Sequence, residues 1–255
     1  MTLSLDPEFL VAFVFATVRC GAWLTIAPPF QGAVPVKVRA ALSMGLGLAM
    51  APRLVAAEGT ISTDTWPLIA GAFHNAVIGL VLGFLVYVLF QAVQTAGGMI
   101  DAFAALTSGM LFDPMTKATL GPVSRLYATL GTAVLFVSNG HLLLIGGLSK
   151  TFELSPASGF RIDRVGTLLV HDIQAFLIAA LQIGAPILGA LFVTEILLGL
   201  ASRAAPKLNV MVLGFGAKSL VMFMLLGAAL PLIPYVSAQL VKDALEMMHA
   251  LVRRG

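Results

Sequence analysis

Side chains able to do covalent or metal chemistry are few and scattered in this sequence. The four histidines, at positions 74, 141, 171 and 249, fall at none of the spacings that zinc sites use. The single cysteine, Cys20, sits in an apolar stretch and leaves no internal disulfide and no cysteine-based metal cluster. Gly214-Phe215-Gly216-Ala217-Lys218-Ser219 approaches a phosphate-binding loop but lacks its spacing and the glycine before lysine. No His-Glu-x-x-His occurs, and nothing nominates a Ser-His-Asp triad. The reading is therefore of a chain that is not an enzyme and needs no cofactor. Two charges stand out because they interrupt apolar runs: Arg19 and Glu195. Each costs about 2.5–3.5 kcal/mol at the centre of a membrane helix, so each must face protein or water. A buried Arg19–Glu195 pair would offset both costs. One functional reading is an ion or proton pathway; a structural ion pair, or helix ends at the interface, is the favoured alternative.

The bulk composition sets the frame for those residues. Of 255 residues, 59% are hydrophobic and 11% charged, against about 45–50% and about 25% in a soluble domain. Mean hydropathy is +0.98. A soluble sphere of this size has no room to hide that much apolar surface. A soluble enzyme, a disordered chain and a disulfide scaffold are excluded, and an all-α integral membrane protein, or a subunit buried in a membrane-embedded assembly, is expected. The net charge of +3 is dispersed, with no basic run longer than Arg253-Arg254, so nucleic-acid binding is not indicated. Mild basicity suits loops facing anionic lipid. The N-terminal stretch is acidic (Asp6, Glu8) where a cleavable signal needs a basic region, so the first apolar segment is expected to be retained.

Charges and prolines divide the chain into apolar stretches at 9–26, 40–51, 66–100, 126–149, 173–202 and 219–241. The last four are long enough to span a bilayer as helices. The 40–51 stretch would be only about 18 Å long. It spans only by continuing through Pro52 and Arg53, which points to a half-span, a hairpin or a helix shielded by protein. With all six taken as spans, seven Lys/Arg residues fall on either side (Arg19 lies within a span). The positive-inside rule is then silent, which speaks against simple up-and-down threading. With no polar linker, residues 1–255 read as one domain.

Between the third and fourth stretches, the connection 97–125 is rich in breakers: Gly97-Gly98, Gly109, Asp113-Pro114 and Gly121-Pro122. It is also apolar at Met110, Leu111 and Phe112, so it must pack in protein or line a cavity. Gly79-Leu80-Val81-Leu82-Gly83 forms a small-xxx-small face that allows close helix approach. The tail, about 236–254, is amphipathic, with Val236, Leu240, Ala244, Met248 and Leu251 on one face, suited to a membrane surface or a partner.

Three stretches together resemble one family: Phe112-Asp113-Pro114; Phe136 to Leu142, containing Asn139, Gly140 and His141, followed by Ser149 to Pro156; and Leu198 to Phe215, containing Arg203, Pro206, Asn209 and Gly214. This pattern looks like the FliR family, the flagellar counterpart of the SctT subunits of virulence type III secretion. Pro35, Lys37 and Arg39 extend the likeness, and Leu213-Gly214-Phe215 favours the flagellar branch. Gly216, where the family has Pro, and Asp101 with the alanine-rich run after it depart from the pattern.

The resemblance implies a subunit of the export gate at the centre of the flagellar basal body, in the bacterial inner membrane. There it would join FliP-like and FliQ-like subunits and a FlhB-like switch subunit, and pass unfolded flagellar proteins. It also implies tilted helical hairpins and a plug in the pore, here about residues 106–124. The residue types suit that role. Met110, Leu111, Phe112 and Met115 can dewet and seal a constriction, methionine reseals around varied cargo, and Asp113-Pro114 keeps the loop from becoming one stiff helix. An injectisome gate subunit and an ion-coupled secondary transporter using Arg19 and Glu195 are the alternatives.

Overall fold

The computed structural model describes residues 6–28, 30, 34–58, 65–106, 120–154, 162–205 and 210–252. Among these the regular structure is helical: α1 (Pro7–Ile26), α2 (Val36–Glu58), α3 (Thr65–Phe103), α4 (Pro122–Val137), α5 (Gly140–Leu154), α6 (Ile162–Ala204), α7 (Val210–Ala229) and α8 (Leu232–Val252). Among the described residues, five helices, or six if the broken pair α4 and α5 counts as one span, are long and apolar enough to cross a membrane. The outer faces stay greasy: Phe73, Phe223 and Met224 are 72%, 64% and 73% exposed. Exposed apolar area on that scale requires lipid or partner protein over it.

The chain forms two compact units. The first contains α1, α2, α5, the N-terminal part of α3 and the last turns of α8. Here α1 lies along α2, and α2 reaches α5. Trp23, Leu24, Leu54, Ile78, Leu82 and Phe152 fill the interior. The Gly79/Gly83 face is the seam between α3 and α1. A Cβ on Gly79 would strike the carbonyl oxygen of Arg19, and one on Gly83 would sit 3.0 Å from the carbonyl oxygen of Trp23. Glycine is required there because backbone meets backbone. The second unit contains the C-terminal part of α3, α4, most of α6, α7 and the start of α8, around Val93, Ile100, Tyr127, Leu135, Ile183 and Ile187.

Four element boundaries differ from the sequence-based expectation. Helix α2 does continue through Pro52 and reaches 23 residues, about 34 Å. Pro52 removes only one backbone bond, and Arg53 pairs with Glu153 of α5 at 2.6 Å. Helix α3 runs past Gly97-Gly98 to Phe103 instead of stopping there. Gly97 is the point where α3 touches the start of α4, since its Cβ would lie 2.7 Å from Ser124 Cα. The 126–149 stretch is broken at Ser138-Asn139 because Asn139 takes a left-handed conformation, φ 56°, which asparagine tolerates better than most residues. The 219–241 stretch is broken at Leu230-Pro231, where a turn separates α7 from α8.

In α8, Leu240, Val241 and Ala244 are buried while Gln239, Lys242 and Glu246 are exposed. Partial burial and the neighbouring Glu246 push the Asp243 carboxyl above its ordinary range, with His171 acting the other way. Met248, Leu251 and the other side chains of the last turns lie outside the described residues.

Candidate functional site

Arg19 is fully buried in α1 and ties three helices together. Its Nε donates to Asn75 Oδ1 of α3 at 2.9 Å. One terminal nitrogen donates to the carbonyl oxygen of Thr151 at 3.1 Å. That carbonyl belongs to the last turn of α5, the end of a helix where positive charge is favoured. The guanidinium also sits 4.4 Å above the Phe152 ring. Asn75 Nδ2 in turn donates to the Gly71 carbonyl oxygen at 2.8 Å.

Glu195 has a different partner. Its carboxylate pairs with Lys218 of α7, on a side chain that is 60% exposed. Arg19 and Glu195 belong to different compact units, and these partners lie within each residue's own unit. Arg19 has neutral acceptors and an aromatic face close by, and Glu195 has a lysine on the next helix in the chain.

The neck of the connection between α3 and α4 is built on Asp101, a buried side chain in the last turn of α3. Its Oδ1 accepts the Val123 N–H at 3.0 Å and its Oδ2 accepts the Ser124 N–H at 2.8 Å. The Ser124 hydroxyl donates to the Gln94 carbonyl oxygen at 3.1 Å. Ala105 closes α3 in a left-handed conformation, φ 59°. An open groove of about 410 Å³ lies alongside, lined by Gln94, Thr95, Met99 and Leu120 among others. The segment carrying Met110, Leu111, Phe112, Asp113, Pro114 and Met115 lies outside the described residues; Leu106 and 120–124 at its two ends lie within them.

Of the motif residues, Asn139 stands in the α4–α5 break and Gly140 and His141 begin α5. The Asn139 carbonyl opens α5 by accepting the Leu142 N–H at 3.0 Å. Arg203 is exposed in the last turn of α6, where a cation complements the helix dipole. Gly214 is buried in α7, and a Cβ there would lie 3.3 Å from a Leu198 methyl. Pro206 and Asn209 lie outside the described residues. The residues that sequence reasoning did not single out as site residues are Asn75 and Asp101. Asp101 carried a signal: a lone acid at the end of a long apolar run, between Gly97-Gly98 and the later breakers. Among the described residues there is no cluster of His, Cys, Asp and Glu able to hold a metal ion.

Helices of bilayer length, apolar outer faces and charges tied into helix-to-helix bonds define a polytopic, all-helical membrane protein. The chain belongs to the bacterial export proteins, family 1, whose model matches residues 10–244. It is 26% identical to the flagellar biosynthetic protein FliR of Bacillus subtilis, covering 98% of this chain and 96% of that protein. Its identity to the Escherichia coli FliR is also 26%, over 96% and 94% of the two chains. The Yop proteins translocation protein T of Yersinia pestis is 26% identical, over 86% and 82%.

Proposed function

We propose that this chain is a subunit of the flagellar type III export gate, forming and plugging the pore through which unfolded flagellar proteins cross the inner membrane. The observation that carries this is end-to-end similarity to flagellar FliR proteins, matched over nearly their whole length. The translocation protein T likeness covers less of this chain, so the flagellar branch is preferred to the injectisome one. The partners are FliP-like and FliQ-like gate subunits and a FlhB-like switch subunit, at the base of the flagellum. Residues 1–255 act as one gate domain, the two compact units being its halves. The role is mechanical, without catalysis or cofactor.

Helix lengths support a setting more complex than simple spanning. Helix α3 has 39 residues and α6 has 43, about 58 and 64 Å, roughly twice the hydrocarbon thickness. Such helices must tilt strongly or rise out of the bilayer into an assembly. The segment between α3 and α4 serves as the plug. Met110, Leu111, Phe112 and Met115 supply a deformable apolar seal that excludes water and ions at rest and parts for a polypeptide. Asp113-Pro114 interrupts helix formation so that the seal can yield. Asn139, Gly140, His141, Arg203, Pro206, Asn209 and Gly214 shape the hairpins that present it.

Deleting residues 107–120 tests the plug. The gate should still assemble but leak small ions, read as membrane depolarisation in cells expressing the complete complex. An assembled gate that stays tight without this segment would remove the plug from the account.

A further inference from the structure

The two ends of α2 treat charge differently. At its far end Arg53 is neutralised within the chain by Glu153 of α5, 2.6 Å away. At its start stand Lys37 and Arg39, with no acid in the first turn. Among the described residues neither cation has a carboxylate or hydrogen-bond partner, and the half-buried Arg39 keeps a buried Nε without an acceptor. Cations at a helix start also oppose the helix dipole, so the helix itself gains nothing from them. Both side chains lean toward the N-terminal end of α2, as helical side chains do. Two positive charges therefore stand at one end of this helix without a counter-charge.

Beyond them the surface turns apolar at once. Lys37, Ala41, Met44 and Leu48 recur at helical spacing on one face of α2, and all four are exposed. Val36 and Val38, on either side of Lys37, are exposed as well. Residues 40–52 carry no charge, and at 23 residues α2 has bilayer length. A lysine at the end of such a face lays its methylenes on the apolar layer and extends its ammonium to the headgroup level. The position calls for an anion at that depth with hydrocarbon beside it. A phospholipid supplies both in one molecule, whereas a free anion supplies only the first.

We infer that the start of α2 binds an anionic phospholipid: Lys37 meets the headgroup, Arg39 adds to the field that draws it, and an acyl chain lies along Ala41, Met44 and Leu48. This requires only that the chain is a membrane protein, so it stands or falls apart from the gate reading.

The test uses the full-length chain with the subunits that co-purify with it, in lipid nanodiscs. A fluorophore on Met44→Cys reads the lipid at this face through quenching by acyl-brominated phosphatidylglycerol or phosphatidylcholine; the native Cys20 is buried. Phosphatidylglycerol should be preferred by roughly fivefold to roughly thirtyfold, the range set by one or two cations at an anionic surface. The preference should fall in Lys37→Gln and in Arg39→Gln and vanish when both are combined. Arg53→Gln, whose charge is already paired, should leave it unchanged. Where the double variant fails to assemble, salt decides: raising it from about 50 mM to about 500 mM should erase the parent's preference. No quenching by either lipid means that protein covers this face, and overturns the inference. Equal quenching by the two lipids does so too, as does a preference that survives the double variant or high salt, or that Arg53→Gln abolishes equally. A preference lost to millimolar inorganic phosphate would mark a free-anion site and overturn the lipid assignment.

Discussion

Replacing Arg19 by methionine removes the bond to Asn75, the bond to the Thr151 carbonyl and the contact with Phe152. Methionine fills much of the same volume, so the cavity contribution is small. The Asn75 and Thr151 oxygens each lose the arginine donor, at about 1–3 kcal/mol each, and the loss of the desolvated cation–π contact adds about 2 kcal/mol. Relief of the buried charge works in the opposite direction by several kcal/mol. The net expectation for Arg19→Met is a loss of about 2–4 kcal/mol. Adding Asn75→Leu removes one of these oxygens along with its donor, so the double variant should be no less stable than Arg19→Met alone. The corresponding coupling energy is about 1.5–3 kcal/mol. Arg19→Lys keeps the charge but loses the planar fork, and should fall in between. The assay is denaturation of the purified gate complex in mixed micelles, with assembly checked before and after. Stability of Arg19→Met within about 0.5 kcal/mol of the parent, or strict additivity with Asn75→Leu, would refute the three-helix tie.

The remaining predictions concern the second ion pair and the helix break. Glu195→Gln should change stability by less than about 1 kcal/mol, because the Glu195 side chain is more than half exposed, and export measured as secreted flagellin should persist; abolished export with intact assembly would instead favour ion coupling. Asn139→Val should cost about 1–2 kcal/mol through its left-handed backbone, whereas Asn139→Gly should be neutral or slightly stabilising; equal melting of the two variants would show that the break does not need this conformation.

How far the sequence led depended on how local the deciding physics was. The apolar stretches followed from composition, and the Gly79/Gly83 seam from a four-residue spacing, because both act within a few turns of helix. Helix breaks were harder. Pro52 and Gly97-Gly98 look like stops, yet tertiary contacts carry the helix through both, Arg53 meeting Glu153 and Gly97 meeting Ser124. Ser138-Asn139, by contrast, lies in an unbroken apolar run and breaks it through one backbone angle. The partners of Arg19 were not legible, since Asn75 and Thr151 lie 56 and 132 residues away. Charge alone points from Arg19 to the other conspicuous charge, Glu195, and gives no hint of the neutral acceptors and aromatic face beside it. Asp101 was visible as an oddity, but its role depends on Gly121 being small 20 residues later.

The central claim is that this chain acts only as a part of an export gate. The direct measurement is purification of the tagged chain, expressed at its native level, in mild detergent with mass analysis of what accompanies it. The account predicts a defined complex with FliP-like and FliQ-like subunits. A chain that purifies alone and, in reconstituted vesicles, moves a small solute against an ion gradient would contradict it.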